Sequence, residues 1–146
     1  MLPIARHNIN LSAKELRAVL SGALGGTSDQ GGRGHFEAQA ARWLGVERAF
    51  SLASGRSALA MALRALDLPA GATVALPSYC FFSVVGVVEG LGLRPLYVPI
   101  AADTMAMDPV ALAAVIDQVA SVVVIHPFGQ VAPMAALLAV CAGPAV

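Results

Sequence analysis

From Arg48 onward, apolar runs of four or five residues alternate with longer apolar-striped segments, and Gly or Pro marks nearly every junction. The short runs are residues 48–52, 73–76, 94–98 and 121–125; the longer ones are 57–66, 82–91, 108–117 and 133–142. A run so short and so apolar suits a strand covered on both faces, and a helix between successive strands makes them parallel. This alternation predicts a doubly wound α/β domain, with a mostly parallel sheet and helices on both faces. Asp108-Pro109 marks one helix start, with Asp108 as N-cap and Pro109 at the first helical position. Residues 144–146 read as the start of another strand.

Two helices are expected ahead of this pattern. Residues 1–10 read as an extended arm. Ser12-Ala13-Lys14-Glu15 is a capping box, and the helix it opens carries Leu16, Val19, Leu20 and Ala23 at helical spacing. Residues 25–34 hold a glycine-rich stretch, readable as a mobile phosphate or substrate loop or as a flexible connection. The second reading is preferred, and because no strand precedes these glycines the dinucleotide-binding context is missing. A second helix over 35–44 carries Phe36, Ala40, Trp43 and Leu44, with Gly45 placed to end it.

Nine basic and nine acidic residues give a net charge of +0, which speaks against nucleic acid or an anionic membrane as the main partner. The chain is 58% hydrophobic and 12% charged, so some apolar surface is expected to face a partner or a further part of the protein. No uncharged apolar run reaches the roughly 20 residues that span a bilayer. Arg6 and His7 stand where a signal peptide would need its apolar core. Cys80 and Cys141 form no CxxC motif, which suggests a reducing, cytoplasmic setting and two buried thiols rather than a disulfide or metal site.

Ligands of such sheets sit beyond the carboxyl ends of the strands, so residues 54–57, 77–81, 99–103 and 126–130 are the candidates. Ser54-Gly55-Arg56-Ser57 reads as a strand-to-helix turn. Amides at a helix start attract an anion such as phosphate, Gly55 lets it approach, and Ser54, Ser57 and Arg56 add donors. From the residues alone, an ordinary serine-capped turn explains the same pattern. His126 is an acid/base group, a cofactor contact, or a histidine satisfied by backbone. Asp103 and Asp108 read as turn and cap residues, and Arg6 and Arg33 as contacts to substrate or a subunit or, by default, as solvated.

These pieces, in their order and spacing, carry a resemblance. Phe36-Glu37, Leu44-Gly45-Val46, the run from Ala53 through Ser54-Gly55-Arg56-Ser57 to Leu59, Pro77-Ser78-Tyr79, Gly92-Leu93-Arg94-Pro95, Asp108-Pro109 and His126-Pro127-Phe128-Gly129-Gln130 together resemble the N-terminal half of the DegT/StrS sugar aminotransferases. These are fold-type-I enzymes dependent on pyridoxal 5'-phosphate (PLP). The resemblance covers roughly residues 10–146. It implies that Ser54, Gly55, Arg56 and Ser57 bind the PLP phosphate, with Ser57 the foremost hydroxyl donor. Many members have Thr where Arg56 stands, so Arg56 pairs either with the phosphate or with an acid on a partner subunit. An aromatic after the next strand stacks on the pyridine ring: Phe81 fits best, with Tyr79 and Phe82 as rivals.

The resemblance also implies two groups that these residues lack. The family uses a Schiff-base Lys and an Asp against the pyridinium nitrogen. The only lysine here is Lys14, in the capping box, so no residue of the chain is assigned a catalytic role. The organisation expected is an arm, helix and glycine-rich loop over 1–34, then a PLP-binding large domain over 35–146 that stops before both groups. By this reading the chain is the N-terminal part of a homodimeric aminotransferase, inactive alone, whose parent moves an amino group from an amino acid to a nucleotide-linked keto-sugar. The alternatives are a PLP-dependent sugar dehydratase or other fold-type-I enzyme, and a non-catalytic module that binds a phosphorylated ligand or regulates a partner.

Overall fold

Helix α1 (Ala13–Ala23) opens on the capping box read from the sequence. The Ser12 amide donates to Glu15 Oε2 at 2.6 Å, and the Glu15 amide donates to Ser12 Oγ at 3.3 Å. Those bonds satisfy two amides at the helix start, and Ser12 holds the Glu15 carboxyl below its ordinary range. The structure, a computed structural model, describes residues 12–23 and 30–142. The arm at residues 1–10 and the strand expected at 144–146 lie outside the described residues.

Contacts divide the chain into two units, Met1–Ser51 and Leu52–Val146. In the first, α2 spans Gln30–Leu44, so residues 30–34 are helical where a glycine-rich loop was expected. Two side-chain pairs one helical turn apart support this start. Arg33 Nε donates to Glu37 Oε1 at 2.9 Å, and the Gln39 amide meets the His35 ring at 2.9 Å. Each glycine costs a helix roughly 1 kcal/mol relative to alanine, and such pairs offset part of that. The helix ends as predicted at Gly45, whose φ of 68° is left-handed. Gly45 donates to Arg42 O and Val46 to Ala41 O, the paired bonds of a Schellman ending.

The strand expected over 48–52 does not form. The Ser51 amide, which a ladder would need, donates instead to Glu37 Oε1 at 2.7 Å.

The second unit alternates helix and strand: α3 (Gly55–Ala65), β1 (Thr73–Pro77), α4 (Phe82–Gly90), β2 (Arg94–Val98), α5 (Pro109–Ala113), β3 (Ser121–Val122) and α6 (Met134–Cys141). The three strands among the described residues pair in parallel, in the order β2-β1-β3, and one isolated antiparallel bridge joins Ile100 to Met107. β1 is central and shows why helices must lie on both faces. Val74 and Leu76 join Leu63 of α3 and Val88 of α4 in one buried cluster. Ala75, pointing the other way, joins Leu112 of α5 and Leu137 of α6 in a second. This is the layered α/β architecture the alternation predicted.

β3 is shorter than the five residues expected. The Val123 amide still donates to Ala75 O at 2.9 Å. The next donor along that edge of β1 belongs to Pro77, which has no N–H, so the ladder stops. Asp108 caps α5 as read, with its carboxylate accepting from the Val110 amide at 2.8 Å. That helix ends at Ala113, and residues 116–118 follow as a 3-10 turn, where a helix to 117 was expected. No helix among the described residues is long and apolar enough to cross a membrane.

Candidate functional site

The turn before α3 is built by its serines. Ser54 enters in an extended conformation, and its Oγ accepts the Ser57 amide at 3.1 Å while lying 3.0 Å from Ser57 Oγ. The Ala58 amide donates to Ser54 O at 3.0 Å, the first bond of the helix. The amides of Gly55 and Arg56 therefore have no acceptor among the described residues. They face outward with the positive end of the helix dipole behind them. At Gly55 an added Cβ would meet nothing within 4 Å, so the backbone there is open to an approaching group. Arg56 and Ser57 are exposed, and Arg56 makes no ion pair among the described residues.

The helix layer brings a second candidate to the same end. An open cavity of about 320 Å³ is lined by Leu63, Arg64 and Leu68, where α3 finishes, and by Gly90, Leu91 and Leu93, where α4 finishes. The two helices pack against each other and end together, so they run the same way. Their starts, at Ser54 and Phe81, accordingly share the carboxyl end of β1. That is the position at which open α/β sheets hold ligands.

Phe81 occupies the N-cap position of α4 and contributes no side-chain cap. It is 67% exposed, a large cost in uncovered apolar surface for a residue that caps nothing. Its ring lies 4.6 Å from that of Phe82, at 48°. Beside it opens a second cavity of about 310 Å³, lined by Tyr79, Cys80, Phe81, Ile125, Pro127 and Phe128. Phe81 and Tyr79 thus share a wall that Phe82 does not line. Partial burial pushes the Cys80 thiol up from its ordinary range, which suits packing rather than nucleophilic chemistry, whereas Cys141 is exposed on the short α6 and is not the buried thiol expected.

Phe128 is the cavity aromatic to which the sequence reading gave no role of its own. Its signal was there, in the His126-to-Gln130 run directly after a strand. His126 is settled by backbone: its Nδ1 accepts the Ala132 amide at 3.0 Å. That bond leaves the ring proton on Nε2.

Arg33 is exposed, as the solvated reading expects, and it also makes hydrogen bonds within its unit. It donates from Nε to Glu37 and from its terminal amine to Ser51 O at 3.0 Å. The Ser51 hydroxyl adds a bond to Glu37 Oε1 at 2.8 Å. The Ser51 amide, then Arg33, then the Ser51 hydroxyl pull the Glu37 carboxyl down to about 2.

The residues fit part of a PLP molecule. The two outward amides and open backbone at Gly55 suit a phosphate, and the aromatic cavity suits a flat ring. The lone lysine, Lys14, belongs to α1 in the other unit.

Comparison with known proteins points the same way. Residues 10–146 match the sequence model of the DegT/DnrJ/EryC1/StrS aminotransferase family. The L-glutamine:2-deoxy-scyllo-inosose aminotransferase of Streptomyces paromomycinus is 32% identical over 84% of this chain and 29% of its own length. A UDP-N-acetyl-3-dehydro-alpha-D-glucosamine 3-aminotransferase of Acidithiobacillus ferrooxidans is 31% identical over 70% of this chain and 28% of its own length. The chain therefore spans under a third of these curated relatives. Among solved structures, an aminotransferase from Psychrobacter cryohalolentis superposes with a TM-score of 0.81 at 26% identity, covering 90% of this chain and 34% of that one. DesV of S. venezuelae, solved with a ketimine intermediate, gives 0.75 at 28% identity over 87% of this chain and 36% of its own.

Proposed function

The chain belongs to the DegT/DnrJ/EryC1/StrS aminotransferase family, a family of PLP-dependent sugar aminotransferases, and from that premise we propose that it supplies the phosphate-binding and ring-binding part of such an enzyme. The observation that carries this reading is the pairing of two features at one end of the sheet: open amides at Gly55 and Arg56, and an aromatic cavity beside Phe81.

Ser57 and the amides of Gly55 and Arg56 hold the phosphate, and Arg56 balances its charge. Ser54 shapes the turn by capping α3. Phe81 lies against the pyridine ring and fixes its plane. When bound, the cofactor supplies a carbonyl carbon that exchanges amino groups and a ring that accepts electron density. We assign the cofactor-binding part of the large domain to the unit Leu52–Val146, which carries Gly55, Arg56, Ser57 and Phe81, rather than to a domain beginning at residue 35, a boundary that would cut helix α2. The enzyme takes an amino group from an amino acid and delivers it to a keto-sugar, nucleotide-linked in our reading, as a cytoplasmic homodimer. Residues 1–146 alone do not turn over, since Lys14 stands outside the family's lysine position.

The test is a PLP titration of the protein as expressed from its gene, followed by cofactor absorbance, beside a Ser57→Ala variant. Saturable binding that weakens several-fold in Ser57→Ala supports the reading. Absent binding, or affinity unchanged in the variant, overturns the phosphate assignment. A transamination assay of residues 1–146 alone that shows turnover overturns the claim of inactivity.

A further inference from the structure

We propose that Phe128 is a second aromatic wall of the ring cavity, and that His126 is a positioning residue that holds it there. The inference rests on the PLP reading above and adds two residues to it.

Phe128 stands in the left-handed region, at φ 53° and ψ 25°. A Cβ crowds the backbone carbonyl in that region, and Phe has no short polar side chain to hydrogen-bond locally in return. Nor does the ring bury itself in return, for Phe128 is 78% exposed. What the conformation achieves is placement: the ring lies 6.0 Å from Tyr79, inclined at 37°, on the cavity that Phe81 also lines. A strained, exposed aromatic facing a cavity lined by two others gives a flat ring an apolar surface to lie against.

Something must keep the turn in this shape, and the contacts show what does. The Gln130 amide donates to Pro127 O at 2.8 Å, closing the 3-10 turn around Phe128. Across the whole segment, His126 Nδ1 accepts the Ala132 amide at 3.0 Å. Ala132 is itself buried in the core under α6, so that bond ties the turn to a fixed point. A histidine that accepts through Nδ1 spends there the lone pair a general base would use. His126 therefore acts through Phe128 rather than on a reacting atom.

The test uses the protein as expressed from its gene and four variants: Phe128→Ala, His126→Asn, His126→Gln and His126→Leu. Asparagine places an oxygen where Nδ1 was, whereas glutamine places one farther out and leucine places none. PLP affinity is read by titration, exchange protection of the Ala132 amide by NMR, and the ring tautomer of wild-type His126 from its imidazole nitrogen shifts. We expect Phe128→Ala, His126→Gln and His126→Leu to weaken binding by roughly three- to tenfold. His126→Asn should stay within about twofold of wild type and keep Ala132 protected, as expected of an acceptor that retains the hydrogen bond. Wild type that binds PLP while Phe128→Ala binds equally well overturns the inference alone. Loss in His126→Asn as severe as in His126→Leu, or an Nδ1–H tautomer, overturns the positioning role. Wild type that takes up no PLP overturns the cofactor reading, and the ring role with it.

Discussion

The Ser51 amide lies 2.7 Å from Glu37 Oε1, across fourteen residues of sequence. Arg33 closes the other side by donating to Ser51 O at 3.0 Å. One ion pair thus satisfies both backbone groups of Ser51, the task a neighbouring strand performs in a sheet. Glu37 accepts three of these bonds on a single oxygen, which is why its carboxyl is held down to about 2.

A pH dependence follows. Bonds to the charged form depress a carboxyl in the folded state, so their contribution is complete above its ordinary value of 4.5 and fades as pH falls toward 2. Urea midpoints of wild type and Glu37→Gln should differ near neutrality, with wild type the more stable. The gap should narrow from about pH 4.5 downward and close near 2. A gap that is constant across this window would show that the carboxylate charge is not what Ser51 responds to.

At the turn before α3, two substitutions separate stability from binding. Ser54→Ala removes the cap on the Ser57 amide and should cost about 1 kcal/mol in chemical denaturation. Ser54→Asp keeps an oxygen acceptor there, so stability should stay close to wild type. Its negative charge, however, faces the amides proposed to hold phosphate, and PLP affinity should fall by tenfold or so. An Asp variant that binds PLP as wild type does would place the phosphate elsewhere.

The core of the second unit is tested at Leu76, which is fully buried in β1 between α3 and α4. Leu76→Ala should cost on the order of 2–5 kcal/mol, because the helices cannot collapse onto a central strand. Val110→Ala, at a side chain 79% exposed on α5, should stay within about 0.5 kcal/mol of wild type. Equal losses at the two positions would contradict the layered packing.

What was legible in the sequence was local. Ser12 with Glu15, Asp108 with Pro109, and Gly45 each act within one helical turn, and each forms the cap or ending its residue type predicts. β2 was read to its ends because its neighbours, Gly92-Leu93 and Pro99, bound it directly. What failed depended on distant partners. The run 48–52 has strand composition, yet its fate is set by Glu37, outside any local window. β3 was read too long because its length is fixed by a missing N–H on another strand, at Pro77. Helix α2 was begun too late because three glycines outweighed the Arg33–Glu37 spacing, which was itself a readable one-turn pair. At the site, Phe81 was named through the family resemblance, as an aromatic after the next strand, and it lines the cavity. Phe128 was passed over because its left-handed backbone has no signature in a phenylalanine.

That backbone gives the last prediction. Asparagine tolerates the left-handed region better than phenylalanine does, and Phe128 is too exposed for its ring to contribute much burial. Phe128→Asn should therefore raise the urea midpoint, with relief on the order of 1 kcal/mol. It should at the same time weaken PLP binding, because an aromatic wall of the cavity that Phe81 also lines is gone. Stability and affinity would then move in opposite directions from one substitution, as expected where strain is kept for a ligand. If Phe128→Asn instead destabilises the fold, the ring is packed in solution and the left-handed turn serves the fold rather than the site.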